Sequence, residues 1–302
     1  MLAHAHRSAY TSVLVMLAVV MALPATALAA DGLATRTEST FRLLPGQDRI
    51  RVTVDVSLAN RKAPTSRIGP CSPGSALRCR ITTGYYFDKW GYIYMPPGAS
   101  NIEFSPGVRQ RLHKQTKHWK QFEVSFPRLD YKKRRKFKVT YELTGGKPRS
   151  GHRTRVLDAY TYFCWHGEPG DSGKVTASLP AGFESTTFGE KTRTKRSKKG
   201  TIISARVKGS PGKFYACTDA FKPAKLLRTD VTSPGGQLVT IEGWPEDPVW
   251  SERMAEVIED SLPKLEALIG RPMPMDEIVI REVTEQSLYG YGSEFGVRRA
   301  LI

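Results

Sequence analysis

Four cysteines, six histidines and two dense basic runs are the residues of this chain that could hold a ligand or do chemistry. Cys71, Cys79, Cys164 and Cys217 could bind zinc as thiolates or pair as disulfides. None has the Cys-x-x-Cys spacing of a zinc knuckle, and no histidine stands at ligand spacing from them. An even count allows two disulfides in three connectivities. Loop composition favours Cys71–Cys79, which closes a Pro- and Gly-bearing loop, and Cys164–Cys217, which joins two expected strands. By loop-closure entropy the longer bridge stabilises by about 4 kcal/mol and the shorter by about 2–3 kcal/mol.

The first basic run holds Lys191, Arg193, Lys195, Arg196, Lys198 and Lys199; the second spans residues 132–136. Either could attract an anionic cell-envelope polymer, acidic glycan, extracellular DNA or lipid headgroup. The first run carries no aromatic residue, so base stacking and specific nucleic-acid recognition are not expected of it. Its bland reading is a solvated hairpin tip between Phe188 and Ile202. Trp165 beside Cys164 reads as core packing near a cystine, and His166 as facing a turn. Tyr85, Tyr86, Trp90, Tyr92 and Tyr94 could stack on sugars if exposed, although strand aromatics are more often buried. There is no Gly-x-Ser-x-Gly nucleophile motif and no Gly-rich nucleotide loop. Asp247, Glu252, Glu256, Glu259 and Asp260 fit a solvated helix face, not an acid–base pair.

The elements that must position these groups change character along the chain. Residues 50–58 alternate apolar and polar, the period-two mark of a strand with one buried face. Residues 122–126 and 137–143 repeat it, and further short strands follow between Gly- and Pro-containing turns up to residue 217. Such a series predicts a mainly β fold, an antiparallel β-sandwich over residues 31–230. Then the period lengthens. Trp250, Met254, Val257, Ile258, Leu262, Leu265 and Ile269 form a helical stripe, with Asp247 placed to cap it and Pro248 at its first position. Pro263 predicts a kink or a second start. Residues 277–283 then read as a strand, so residues 231–302 look like the incomplete start of an α/β domain. Charge shifts at the same place: 40 basic against 16 acidic residues up to 230, then 6 against 13, within a net charge of +17. That asymmetry places a domain boundary near 225–240.

The N-terminus predicts export. A polar and basic lead with His4, His6 and Arg7 precedes an apolar run over 13–23, Pro24 and a small-residue stretch ending at Ala30, the order of a secretory signal peptide. The apolar run is shorter than the roughly 20 residues a transmembrane helix needs. The expected location is secreted or extracellular, with cell-surface association open.

One set of motifs carries a resemblance. Gly167-Glu-Pro-Gly170 is followed by Val175 and Leu179-Pro-Ala-Gly-Phe183. Further on come Trp244-Pro-Glu-Asp-Pro-Val-Trp250, Leu262-Pro-Lys-Leu265, Gly270-Arg-Pro272 and Gly290-Tyr-Gly-Ser-Glu-Phe295. In this order the chain resembles the front half of bacterial secreted, gluzincin-type metallopeptidase-like proteins, relatives of the zinc aminopeptidases. The resemblance implies a full-length parent that hydrolyses peptide bonds with zinc held by a His-Glu-x-x-His helix. It also implies a Gly-rich edge strand for substrate backbone, which would fall on Gly290, Tyr291, Gly292 and Glu294; the bland alternative there is a turn. The zinc motif itself is missing: the histidines are at 4, 6, 113, 118, 152 and 166, and His113 and His118 are five apart. The expectation is a non-catalytic front portion, inactive as given, with neither metal nor cofactor of its own. The other reading is a self-sufficient secreted sandwich module that binds a peptide, a protein or an anionic cell-envelope polymer.

Overall fold

The computed structural model describes residues 32–74, 76–271, 277–285, 287 and 300–301. The leader stretch 1–30 and the candidate edge Gly290, Tyr291, Gly292 and Glu294 lie outside the described residues. In chain order, β1 (Leu33–Leu44) and β2 (Arg49–Asn60) form a long hairpin, and β3 (Thr65–Pro70) and β4 (Arg78–Thr83) a short one. β5 (Phe87–Met95), β6 (Ala99–Phe104), β7 (Arg109–Gln115), β8 (Lys120–Leu129) and β9 (Arg134–Thr144) follow. Next come β10 (Arg155–Val156), β11 (Tyr160–His166), β12 (Ser172–Pro180) and β13 (Glu184–Gly189). β14 (Arg193–Ser197), β15 (Gly200–Lys208) and β16 (Tyr215–Phe221) close this series. The last group is β17 (Leu227–Thr232), β18 (Leu238–Gly243), α1 (Pro248–Ile269), β19 (Glu277–Arg281) and β20 (Ala300–Leu301).

One seven-stranded sheet, ordered β14-β15-β12-β1-β2-β9-β6, forms the floor of a mainly β, sandwich-like body. Above it lie the three-stranded sheet β5-β8-β7 and the four-stranded sheet β10-β11-β16-β13. The period-two strands supply the common core. Phe41, Val52, Val54 and Val139 of the floor are buried together with Ile93, Val124 and Phe126 on one side and Phe163, Trp165 and Ala216 on the other. Pairing within these three sheets is antiparallel with one exception: β1 lies parallel to β12, with Arg36 opposite Ser172 and Arg42 opposite Ser178.

β17 and β18 open a different layer. They pair antiparallel, and the chain then crosses through α1 to β19, which lies parallel to β18, Ile241 facing Ile280. Val239, Ile241, Leu262, Ile278 and Ile280 make its small core, with Trp250, Met254 and Ile258 packed against it. The change of sheet falls between Phe221 and Leu227, ahead of residue 230, because 227–232 already pairs with 238–243. α1 runs unbroken through Pro263. It ends at Gly270, whose φ of 73° allows its N–H to bond the Glu266 carbonyl at 2.9 Å. Asp247 holds the N-cap position without making a side-chain cap. Its carboxylate is taken instead by Arg149 Nε at 2.5 Å, a charge-assisted bond that outcompetes a neutral backbone donor.

Candidate functional site

The first basic run is built on an edge. β14 is the free edge of the seven-stranded sheet, and all five of its residues are exposed. It turns into β15 at Lys198 and Lys199, where Ser197 Oγ donates to the Gly200 carbonyl at 3.1 Å. Gly200 has φ 135°, and a Cβ there would stand 2.1 Å from the Leu179 carbonyl, so the turn requires glycine. Pairing puts Lys195 opposite Ile202 and Arg193 opposite Ser204, and Lys174 opposite Arg206 two steps along the same face. Among the described residues, none of Lys191, Arg193, Lys195, Arg196, Lys198 and Lys199 makes an ion pair. The second run is divided: Lys132 and Lys133 lie in a turn, and 134–136 start β9. Cationic edges also keep sheets from pairing with one another, so the charge alone does not define a ligand.

Both disulfides pair as the loop compositions favour. Cys71–Cys79 ties the end of the β3–β4 hairpin, and Cys164–Cys217 links directly opposed positions of β11 and β16. Trp165 is fully buried and donates Nε1–H to Thr218 Oγ1 at 2.9 Å. Burial disfavours the His166 imidazolium, but Glu168 at 3.4 Å and the Tyr94 carbonyl at 3.2 Å outweigh it and raise its pKa. Of the aromatic group, Tyr94 packs edge-on to Trp119 and Trp90 to Phe137. Tyr85 and Tyr86 are exposed, each beneath a cation, Lys62 and Arg128 respectively.

The largest concentration of perturbed ionisable groups lies where the α/β layer meets the sandwich. Trp244 stacks on Tyr160 with ring centroids 4.6 Å apart, in a cluster with Leu157, Tyr162 and Leu226. Tyr160 Oη bonds Asp219 Oδ2 at 3.0 Å, lies 3.0 Å from Ser287 Oγ, and accepts the Thr284 backbone N–H at 3.2 Å. Ser287 donates to the same Asp219 oxygen. Burial pushes the Asp219 pKa up to about 6, against the pull of Ser287 and Tyr160. Burial likewise pushes Glu282 up to about 8, although it accepts the Trp244 N–H at 2.8 Å; nearby Asp247 adds to the rise. Beside them Arg281 binds Glu242 and covers the Phe221 ring at 3.6 Å. Apart from Trp244 Nε1, which is buried without a partner among the described residues, these groups satisfy each other inside the protein. The arrangement can hold two layers together, but it offers a substrate no open face.

A cavity of about 430 Å³ lies beside Arg49, Arg51 and Asn101, yet all three bind the Glu142 carboxylate. Arg51 first, then Asn101 and Arg49, lower its pKa to about 2. His113 sits on β7 against Tyr92, and His118 in the turn beyond it. The described residues contain no group of three His, Cys, Asp or Glu placed to hold a metal, so a zinc ion does not fit them. No helix among them is long and apolar enough to cross a membrane. Sequence reasoning passed over Asp219, Glu282, Thr284 and Ser287 because no local pattern marks them. No protein-family model matches the chain, and no curated protein matches it.

Proposed function

We propose that this chain is the exported, non-catalytic front portion of a gluzincin-like metallopeptidase, whose β-sandwich serves as a scaffold for an α/β layer. Zinc and the His-Glu-x-x-His helix belong to the full-length parent, and no hydrolytic step runs through residues of this chain. The observation that carries this reading is the α/β layer itself. It is fastened to the sandwich by buried polar bonds, yet Val257, Leu265, Leu268 and Ile269 of α1 are exposed. Such an apolar helix face fits a layer built to be covered by further structure. Export is supported by two disulfides, which persist in oxidising compartments.

The test is to read the locus through 200 codons past residue 302 and express the extended protein. An in-frame zinc motif, one bound zinc per chain and peptide hydrolysis absent from the 302-residue form support the proposal. A reading frame without the motif, or an extended protein that binds no zinc, overturns it.

A second reading has one specific observation behind it: the β14–β15 edge carries its cations without ion pairs among the described residues. A secreted module that binds an anionic cell-envelope polymer would use that edge. Binding of polyglycerol phosphate that weakens with salt and is lost on changing Lys195, Arg196, Lys198 and Lys199 to Gln supports it; retained binding sinks it.

A further inference from the structure

The hairpin β3–β4 stands apart from the rest of the body. Among the described residues its substantial packing is between its own two strands, and all but two of its twelve strand residues are exposed. An isolated two-stranded hairpin is marginal in water, and here Cys71–Cys79 ties the far end while Ser66 and Thr82 hydroxyls bond at 3.1 Å near the base. Six residues per strand give an arm about 20 Å long.

Its surface is chemically biased. From residue 56 to residue 87 there are five basic residues, Arg61, Lys62, Arg67, Arg78 and Arg80, and no acidic one. Arg67, Arg78 and Arg80 have no ion pair among the described residues. Apolar side chains stand among them: Ile68 is 69% exposed and Leu77 at the tip is 73% exposed. Register puts Ile68 opposite Arg80 and Pro70 opposite Arg78, so these four share one face of the ribbon. Leu77 stands at the tip with Arg78 next to it, Ile68 lies level with Arg80 behind them, and Arg67 is on the other face opposite Ile81. Such interleaved apolar and guanidinium groups match a membrane boundary. The apolar part meets the acyl edge while arginine forks bind phosphate.

We infer that the β3–β4 arm docks the protein onto an anionic lipid surface, with Leu77 and Ile68 entering the headgroup layer and Arg67, Arg78 and Arg80 pairing with lipid phosphates. A soluble polyanion would use the arginines but has no need of the apolar tip, which is why lipid is the occupant. The inference is independent of both functional readings above, since neither uses this hairpin.

The experiment is co-sedimentation of the purified protein with vesicles of equal parts phosphatidylglycerol and phosphatidylcholine, against phosphatidylcholine alone. Binding is expected only to the anionic vesicles. Each arginine near a charged surface is worth about fivefold in partitioning, so Arg67→Gln, Arg78→Gln and Arg80→Gln together weaken it about 100-fold. Leu77→Asp weakens it about tenfold or more. Because the arm packs on itself, these variants keep the parent's thermal transition, which separates lost docking from lost folding. The inference is overturned if the parent does not bind anionic vesicles, or if the triple arginine variant binds as well as the parent. It is also overturned if Leu77→Asp has no effect, if changing Lys198 and Lys199 to Gln abolishes binding instead, or if dextran sulfate is bound through the arginines while vesicles are ignored.

Discussion

The sandwich core and the junction below the α/β layer are both buried, but they are held by different physics. In the core, Phe41, Val52, Val54, Val139 and Trp165 exclude water with apolar surface, an attraction without direction or charge. At the junction, Tyr160, Asp219, Thr284 and Ser287 form a hydrogen-bonded group around one aromatic stack. The apolar side chains of such a core have no proton to gain or lose, and His166 beside Phe41 is its titratable exception. A network of the second kind is strong when every member is satisfied and costly when one is not. The protein therefore has a rigid body and a titratable joint, and each can be perturbed without the other.

Four perturbations separate the two regions. The largest expected effect is on the sheet face toward the joint, where Cys164 and Cys217 pack against the Tyr160–Trp244 cluster: replacing both by Ser removes a crosslink of separation 53 and lowers unfolding stability by about 4 kcal/mol, measured by urea titration of the whole protein. Next is Trp244→Ala, which takes away the stack on Tyr160. It costs about 3 kcal/mol, read as faster amide exchange over residues 227–285 with the sandwich strands unchanged. Third is pH. Asp219 and Glu282 hold their protons more tightly folded than unfolded, at about 6 and about 8. Their contribution is complete below pH 4 and is lost as pH rises through those values. From pH 4 to pH 9 the joint weakens progressively, seen as a falling thermal midpoint for the α/β layer. His166, raised by Glu168, adds a dependence of the same sign in the sandwich. The smallest effect is Cys71→Ser with Cys79→Ser: the arm loosens, but overall stability moves by no more than about 0.5 kcal/mol, because among the described residues the hairpin packs mainly on itself.

How much of this was legible in the sequence follows from how local each feature is. The alternation over 50–58 marks β2, and the helical stripe marks α1, because burial on one face leaves a period. β1 is harder to see. Its buried positions include Thr35, Thr37 and Ser39, so its alternation is not one of hydrophobicity. Thr37 Oγ1 donates to the Glu168 carbonyl at 3.2 Å and Asp171 takes the Thr35 backbone N–H at 2.7 Å, both from the segment that leads into parallel β12, while Ser39 Oγ is buried without a partner among the described residues. Such a pairing, joining residues more than 130 positions apart, leaves no local trace. The junction is hidden for the same reason, since Asp219, Glu282 and Ser287 acquire their roles only through contacts across the chain. Asp247 misleads in the opposite direction. Its position is that of a cap, and only the folded neighbour Arg149 diverts it.

The account rests on the sandwich acting as a scaffold bonded to the α/β layer, and amide hydrogen exchange of β18 tests this most directly. The measurement compares the parent protein with the Tyr160→Phe variant, which removes the hydroxyl shared by Asp219, Thr284 and Ser287 and costs about 1–2 kcal/mol. The account predicts that β18 in the parent is protected as well as β2, and that the variant speeds exchange about tenfold in β17, β18 and β19 alone. Free exchange of β18 in the parent while β2 stays protected, or equal loss of protection in both layers of the variant, would contradict it.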